Sequence, residues 1–418
     1  MVQGGARLKK ILYITYDGLT DPLGQSQVLP YLVHLSARGF GFTILSFEKR
    51  SRYLAERNIV NDIVAASGIR WVPLMFTRNP PVLAKMYDRW KLKKTAARLQ
   101  QHTRFDLVHC RSYVASEVGL WLKKKYGVRF LFDMRGFWAD EKVDNGQWNL
   151  SNPFYRRVYA HYKRKEKEFL HEADGIISLT EAGKIELLRV HANGLAVDVI
   201  PCCADLEHFD YRRSQDGVTQ ALRAQLGIES HNRVITYLGS VGGWYMMDEM
   251  LAFFRRLRRR HPEFILLILS KDDRGKVLRT VQTAGIPPGK VRVLYSGRKE
   301  LPDYLSLSDC SIFFIRPSYS KLASSPTKHA ELMGMGIPVI CNDIGDTGMI
   351  IRSTGAGILI KEFSDAEYDR AVDRMEQLLS MPKERIRNAA FQYFDLSKGC
   401  RDYEELYKRI LDLSSAGQ

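Results

Sequence analysis

The sequence predicts an α/β protein made of two doubly wound domains, each a parallel sheet covered by helices on both faces, with a last helix that packs back on the first domain. Three observations predict it. Short β-branched or aromatic runs alternate with amphipathic helical stretches along almost the whole chain, the signature of βαβ units. The alternation is interrupted once, by polar, glycine-containing sequence over 202–232, and then restarts. A length of 418 residues with 45% hydrophobic content is enough for two or three packed cores. The boundaries that follow are 1–205, 206–395 and 396–418.

In order, the first half reads strand 11–16, helix 25–38, strand 42–47, helix 51–67, strand 69–74, helix 82–102, strand 106–109, helix 113–126 and strand 128–133. After a loop come helix 153–172, strand 174–178, helix 180–191 and strand 197–200. The second half reads strand 233–238, helix 245–260, and strands 263–269, 290–294 and 311–315. Helix 326–335, strands 338–342 and 356–360, and helices 365–380, 383–394 and 399–413 complete it. In doubly wound sheets ligands sit beyond the carboxyl ends of the strands, so the expected site is a cleft between the domains.

Composition narrows the class. There is no repeat or low-complexity segment, which excludes a solenoid or a disordered chain. The apolar run Ile11–Tyr16 is too short for a signal-peptide core or a membrane span. The expectation is a cytoplasmic protein, at most peripheral on the inner face of the cell membrane. Cys110, Cys202, Cys203, Cys310, Cys341 and Cys400 form no C-x-x-C and no zinc-ligand spacing, so buried thiols are expected and no metal site. The net charge of +16 is concentrated: residues 1–200 carry +13, the remainder +3. A basic half suits a polyanionic partner. Two segments, 80–99 and 152–170, interleave cations with aromatics. Helical spacing groups Val82, Leu83, Met86 and Trp90, with Lys85, Arg89, Lys93 and Lys94 toward another face. Such a helix either lies on anionic lipid or buries its apolar side chains in the core. No recognised nucleic-acid-binding module appears.

The stretch 324–343, SSPTKHAELMGMGIPVICND, carries the most chemistry. Ser325 stands at the N-cap position of a helix and Pro326 in its first turn, where neither costs a hydrogen bond. The amides of Thr327 and Lys328 then point out of a helix end with partial positive charge, an anion site to which Lys328 adds a full charge. Ser324, Ser325 and Thr327 bring hydroxyls, and Arg316 and Lys321 lie in the loop leading in. Glu331, one turn on, is placed to reach past a phosphate and accept hydrogens from a vicinal diol. Elsewhere, Gly24 would let backbone approach a phosphate at the mouth of the first helix, with Gln25 and Ser26 facing the same space. Asp133, Arg135 and Glu141 follow a strand end and could orient or deprotonate an acceptor hydroxyl, or form a structural salt bridge. Arg111 could join them. His109, in an apolar strand, reads as a core residue.

The run E-L-M-G-M-G-I-P-V-I from Glu331 resembles the donor-site signature of glycosyltransferase family 4, of the GT-B fold. The preceding S-S-P-T-K resembles a variant common among bacterial members that build surface polysaccharides. L-G-Q-S-Q (23–27), D-L-V-H (106–109), F-D-M-R-G-F-W-A-D-E (132–141), V-I-P-C-C-A-D-L-E-H-F (199–209) and Y-L-G-S (237–240) agree in order. The resemblance implies transfer of a sugar from a nucleotide diphosphate sugar with retention of configuration, Glu331 on the ribose, and Thr327 and Lys328 on the diphosphate. It implies no cofactor: the nucleotide sugar is a substrate. No D-x-D is present, so helix and cation electrostatics would stand in for a metal. Two family features are missing. A second Glu eight residues earlier is Ala323, and the usual Arg and Lys after Y-x-G are replaced by Val241-Gly-Gly-Trp-Tyr245. Lys271, Arg298, Arg316 or Lys321 would compensate, and Arg298 lies where the family contacts the base.

The expected partners are therefore a nucleotide sugar, a glycan or polyprenyl-diphosphate-linked acceptor and an anionic membrane surface, without nucleic acid. A sugar-nucleotide 2-epimerase of the same fold and a non-catalytic basic scaffold at the membrane are the alternatives.

Overall fold

In the computed structural model, which describes residues 8–191 and 194–412, the strands form two all-parallel sheets. The chain divides into two compact units. The first runs to Pro201 and takes in Leu322–Ser324 and the segment from Leu396. The second holds Cys202–Lys321 and Ser325–Asp395.

The sheet of the first unit contains β1 (Lys9–Thr15), β2 (Phe40–Glu48), β3 (Arg70–Met75), β4 (Leu107–Arg111), β5 (Arg129–Asp133), β6 (Gly175–Ser178) and β7 (Val197–Val199). Their order is β3-β2-β1-β4-β5-β6-β7. β4 and β6 are buried along their whole length and β1 over its last five residues, as parallel strands covered on both faces must be. The order reverses between β1 and β4, so the carboxyl ends of those strands flank the switch point, where doubly wound sheets bind ligands. Helix Leu396–Asp412 belongs to this unit. Its buried face carries Tyr403, Leu406, Tyr407 and Ile410. Tyr403 meets Tyr31, and Tyr407 meets Phe40 edge-on. Gly175 on β6 has no room for a side chain because Ile410 of that helix would lie 2.6 Å from its Cβ.

The helix Pro81–Thr103 packs through Ala84, Leu92, Ala96 and Leu99. Leu83, Met86, Tyr87 and Trp90 are each more than half exposed. The apolar side chains grouped by helical spacing thus face outward rather than into the core; the side chain of Val82 lies outside those described. Lys94 sits over the Trp90 ring and Lys93 over Trp121. Arg89 is taken by an ion pair with Glu117.

The second unit contains β8 (Arg233–Leu238), β9 (Phe264–Leu269), β10 (Val291–Leu294), β11 (Cys310–Phe313), β12 (Val339–Asn342) and β13 (Gly357–Ile360), in the order β10-β9-β8-β11-β12-β13. Its switch point lies between β8 and β11. Helices Trp138–Asp144, Asp216–Gln225, Arg274–Thr283, Leu301–Leu305 and Thr347–Thr354 add to the elements expected from sequence. The last was hidden by Gly348 and by β-branched residues of low helix propensity. Gly348 is required there, because a Cβ would fall 2.1 Å from the Asp343 carboxylate. All six cysteines are buried thiols outside any disulfide. Among the described residues no helix is long and apolar enough to cross a membrane.

Candidate active site

The switch point of the second unit is built by two segments. One is the loop after β8, Gly239–Met246. The other is the chain from the end of β11 to the helix Thr327–Gly334. Beyond β11 the chain stays extended because the Asn342 side chain, at the end of β12, clasps Ile315: the Ile315 amide donates to Oδ1 (2.9 Å) and Nδ2 donates to the Ile315 carbonyl (2.8 Å). On this extension the 239–246 loop docks. Tyr245 bridges Ile315, and the Arg316 and Met246 amides donate to the Trp244 and Phe314 carbonyls at 2.9 and 3.0 Å. Gly242 and Gly243 turn the loop with φ of +95° and +66°, conformations that side-chain-bearing residues rarely adopt.

The helix begins at Thr327, with Pro326 as its N-cap residue and no side-chain cap. This corrects the expectation that Ser325 caps it. The Ser325 hydroxyl instead accepts from the Cys202 amide at 3.1 Å, which ties the segment entering this unit to the helix start. Thr327 is half-buried, and every residue from Lys328 to Gly334 is buried. The helix stops at Gly336, which takes the left-handed turn (φ +65°) that lets the Ile337 amide reach back to the Leu332 carbonyl (3.0 Å).

Lys328 is 7% exposed, and its Nζ has no hydrogen-bond partner. The ammonium lies 3.6 Å from the centre of the Tyr245 ring and 4.6 Å from that of Tyr237. Burial pushes its pKa down to about 7, with Glu331 opposing the shift. Gly239 makes this position possible: a Cβ there would meet Nζ at 2.4 Å. Glu331, equally buried, is paired with Arg298 (Nη1 to Oε1, 3.0 Å). Burial raises its pKa, and the Arg298 guanidinium opposes the rise. Arg298 lies over the Phe209 ring, and its carbonyl sits 2.9 Å from His208 Nε2. That segment is fixed by buried Arg387, which donates to the carbonyls of Leu206, Phe209 and Gly334 at 2.6–2.7 Å. Arg316 and Lys321 both lie against Trp244, at 4.8 and 3.8 Å from the ring centre. Lys271 sits over exposed Tyr295, 5.5 Å from its ring. Sequence reasoning missed Trp244 and Tyr245 as cation carriers, although two aromatics in a glycine loop was a readable signal. It also missed Arg387, for which no local signal exists.

The switch point of the first unit holds a second cluster. His109 on β4 and Asp133 on β5 meet at 3.3 Å (Nε2 to Oδ2), and His109 Nδ1 lies 2.7 Å from the Tyr407 hydroxyl. Tyr403 donates to Asp133 at 3.4 Å, and Arg135 Nη1 stands 3.7 Å from Asp133 Oδ1. Arg111 reaches Asp17 at 3.4 Å. Burial alone would raise the Asp133 pKa, but Arg135, His109 and Arg111 together hold it below the ordinary carboxylate value. Burial lowers that of His109 despite the Asp133 bond. Asp133 is thus an ionised, 1% exposed carboxylate of low basicity, suited to positioning rather than to proton abstraction. Arg135 is held in a left-handed backbone conformation (φ +57°). Glu141 is half-buried on the first turn of helix Trp138–Asp144. Gly24 has no room for a side chain: its Cβ would meet the Gly18 carbonyl at 2.2 Å.

Residues 26–208 match Glycosyltransferase Family 4, and residues 218–392 match Glycosyl transferases group 1. Among sequence relatives, the chain is 23% identical over 285 residues to a D-inositol 3-phosphate glycosyltransferase of Rhodococcus opacus, covering 66% of this chain and 60% of that one. The chain spans about 60% of the length of the curated relatives it matches first. Among solved structures, a glycosyltransferase from Rickettsia africae aligns with a TM-score of 0.72 at 16% identity, over 97% of this chain and 99% of the other. Anabaena HepE in complex with UDP-glucose aligns with a TM-score of 0.68 at 14% identity, over 96% and 99%. The chain belongs to the glycosyltransferases, with a family 4 domain followed by a group 1 domain on parallel, Rossmann-like sheets of the GT-B class.

Proposed function

We propose that the chain is a retaining, metal-independent glycosyltransferase that moves a sugar from a nucleotide diphosphate sugar to a glycan or polyprenyl-diphosphate-linked acceptor. The observation that carries this reading is Lys328: a buried ammonium without a hydrogen-bond partner, on the first turn of a helix at a sheet switch point, three residues before a buried carboxylate. A bound diphosphate would give that ammonium its counter-charge. As the glycosidic bond breaks, charge grows on the departing phosphate, and Lys328 with the Thr327 and Lys328 amides would stabilise it more than the ground state. Glu331 would hold the ribose diol, oriented by Arg298. Retention and metal independence follow from the family resemblance together with this cation-rich site. Asp133 would position an acceptor-side group, with Arg135 beside it.

The basic first 200 residues suit an anionic acceptor. The exposed Leu83, Met86, Tyr87 and Trp90, flanked by Lys85 and Lys94, would seat the chain on the anionic inner face of a membrane.

The test is incubation of the intact chain with UDP-, GDP- and TDP-sugars, with and without EDTA, in the presence of polyprenyl-diphosphate-linked glycans. The expected result is one donor consumed at an EDTA-insensitive rate, with the donor's anomeric configuration kept in the product. An inverted product would overturn retention. A free epimerised nucleotide sugar formed without acceptor would replace the reading with the epimerase, and absence of any nucleotide affinity with the scaffold.

A further inference from the structure

The family's cations after Y-x-G are absent here, and the loop that replaces them, Val241–Tyr245, carries two aromatic rings. Three cations from a different segment converge on those rings. Arg316 and Lys321 lie on Trp244, and Lys328 lies on Tyr245. Like charges repel, so three of them gather on adjacent residues only where something holds each in place. The negative face of an aromatic ring does this, more strongly when the cation is desolvated. Lys321 and Lys328 are both buried. The loop is itself anchored at both ends. The Val241 amide donates to the Asp272 carboxylate, and Tyr245 bridges Ile315. Arg298 is engaged by Glu331, and Lys271 lies on exposed Tyr295. Arg316 and Lys321 are the candidate cations that share the Trp244–Tyr245 pair with Lys328.

We propose that Trp244 is a positioning residue for diphosphate binding: its indole holds Arg316 and Lys321 beside Lys328, so that the three replace the family's missing Arg and Lys as the receptor for the nucleotide's second phosphate. The inference rests on the donor-site reading and deepens it. A ring that positions cations acts through charge on phosphate. Its loss should change discrimination between nucleoside diphosphates and monophosphates, and not merely stability.

The experiment titrates the intact chain calorimetrically with UDP, GDP, ADP and TDP and with the corresponding monophosphates. The wild type should prefer one diphosphate over its monophosphate. Trp244→Leu should cut that preference about tenfold, with monophosphate affinity kept, and Trp244→Phe should restore most of it. Should Trp244→Leu fail to fold, Lys321→Gln and Arg316→Gln, which leave the ring in place, carry the test. Each should lower diphosphate preference, and each less so in a Trp244→Phe background than in wild type. An unchanged diphosphate preference in the Trp244 or the Lys321 and Arg316 variants overturns the inference while leaving the donor site standing. A wild type that binds no nucleoside diphosphate overturns both.

Discussion

The two switch points occupy the same topological place in their sheets and are spent differently. In the first unit, His109 lies against Asp133 and Tyr407, Tyr403 donates to Asp133, and the charges of Asp133 and Asp17 are met by Arg135 and Arg111, although Arg111 Nη1 and Asp133 Oδ1 make no hydrogen bond. In the second, Lys328 has no hydrogen-bond partner and a burial-depressed pKa. A buried charge that is paired contributes to holding the fold, whereas one left unpaired costs stability until a ligand supplies the counter-charge. The difference teaches where to look for a phosphate: at the switch point whose buried ammonium has neither a hydrogen bond nor an ion pair.

The contrast breaks most visibly at Lys328. Lys328→Met should weaken nucleoside diphosphate binding or turnover by about 100-fold, the scale of losing one charged transition-state donor. In the same variant the melting temperature of the ligand-free chain at pH 7 should rise. A drop in melting temperature would mean that the ammonium is a structural partner after all. Asp133→Asn should do the converse: it leaves buried Arg135 short of its counter-charge and should cost about 3 kcal/mol of unfolding free energy in denaturant melts. Nucleotide affinity should stay within about twofold, since Asp133 belongs to the first unit and Lys328 and Glu331 to the second.

Smaller effects sharpen the picture. Gly239→Ala strains a φ of +135° and drives a methyl into Lys328 Nζ, so diphosphate affinity should fall by about tenfold in calorimetry. The smallest signal is protonic. The folded pKa of Lys328 lies below its unfolded value of 10.5, so between about 7 and 10.5 the unfolded chain binds more protons and stability gained from this group rises with pH. A diphosphate favours the charged form. Binding at pH 8 should therefore take up a fraction of a proton, read from calorimetry in buffers of different ionisation enthalpy, and Lys328→Met should abolish it.

Much of this was legible along the chain. The βα alternation placed every strand of both sheets to within two residues at most ends, because parallel strands buried on both faces read as continuous apolar runs. The S-S-P-T-K…E segment marked the helix that carries Lys328 and Glu331. Less legible were the helices whose local sequence contradicts helix propensity, such as Thr347–Thr354, where packing of Ile350 and Ile351 overrides Gly348. The core assignment of His109 holds, but its bond to Asp133 and its contact with a tyrosine 298 residues on had no local trace. On helix Pro81–Thr103 the spacing of apolar residues correctly grouped Leu83, Met86 and Trp90, and only the fold decided that this group faces outward.

By itself the sequence determined the class of fold, the polarity of its strands and the residue types gathered at one helix start, since periodicity and capping chemistry act over a few residues. Tertiary structure decided which charges find partners. It turned Ser325 from a cap into a tether for Cys202, gave Glu331 to Arg298, and laid Lys328, Lys321 and Arg316 on the rings of a loop some 70 to 90 residues earlier. The reason is physical: the ionisation and reach of a charged side chain depend on burial and on groups within a few ångströms, and those groups come from segments that only folding brings together.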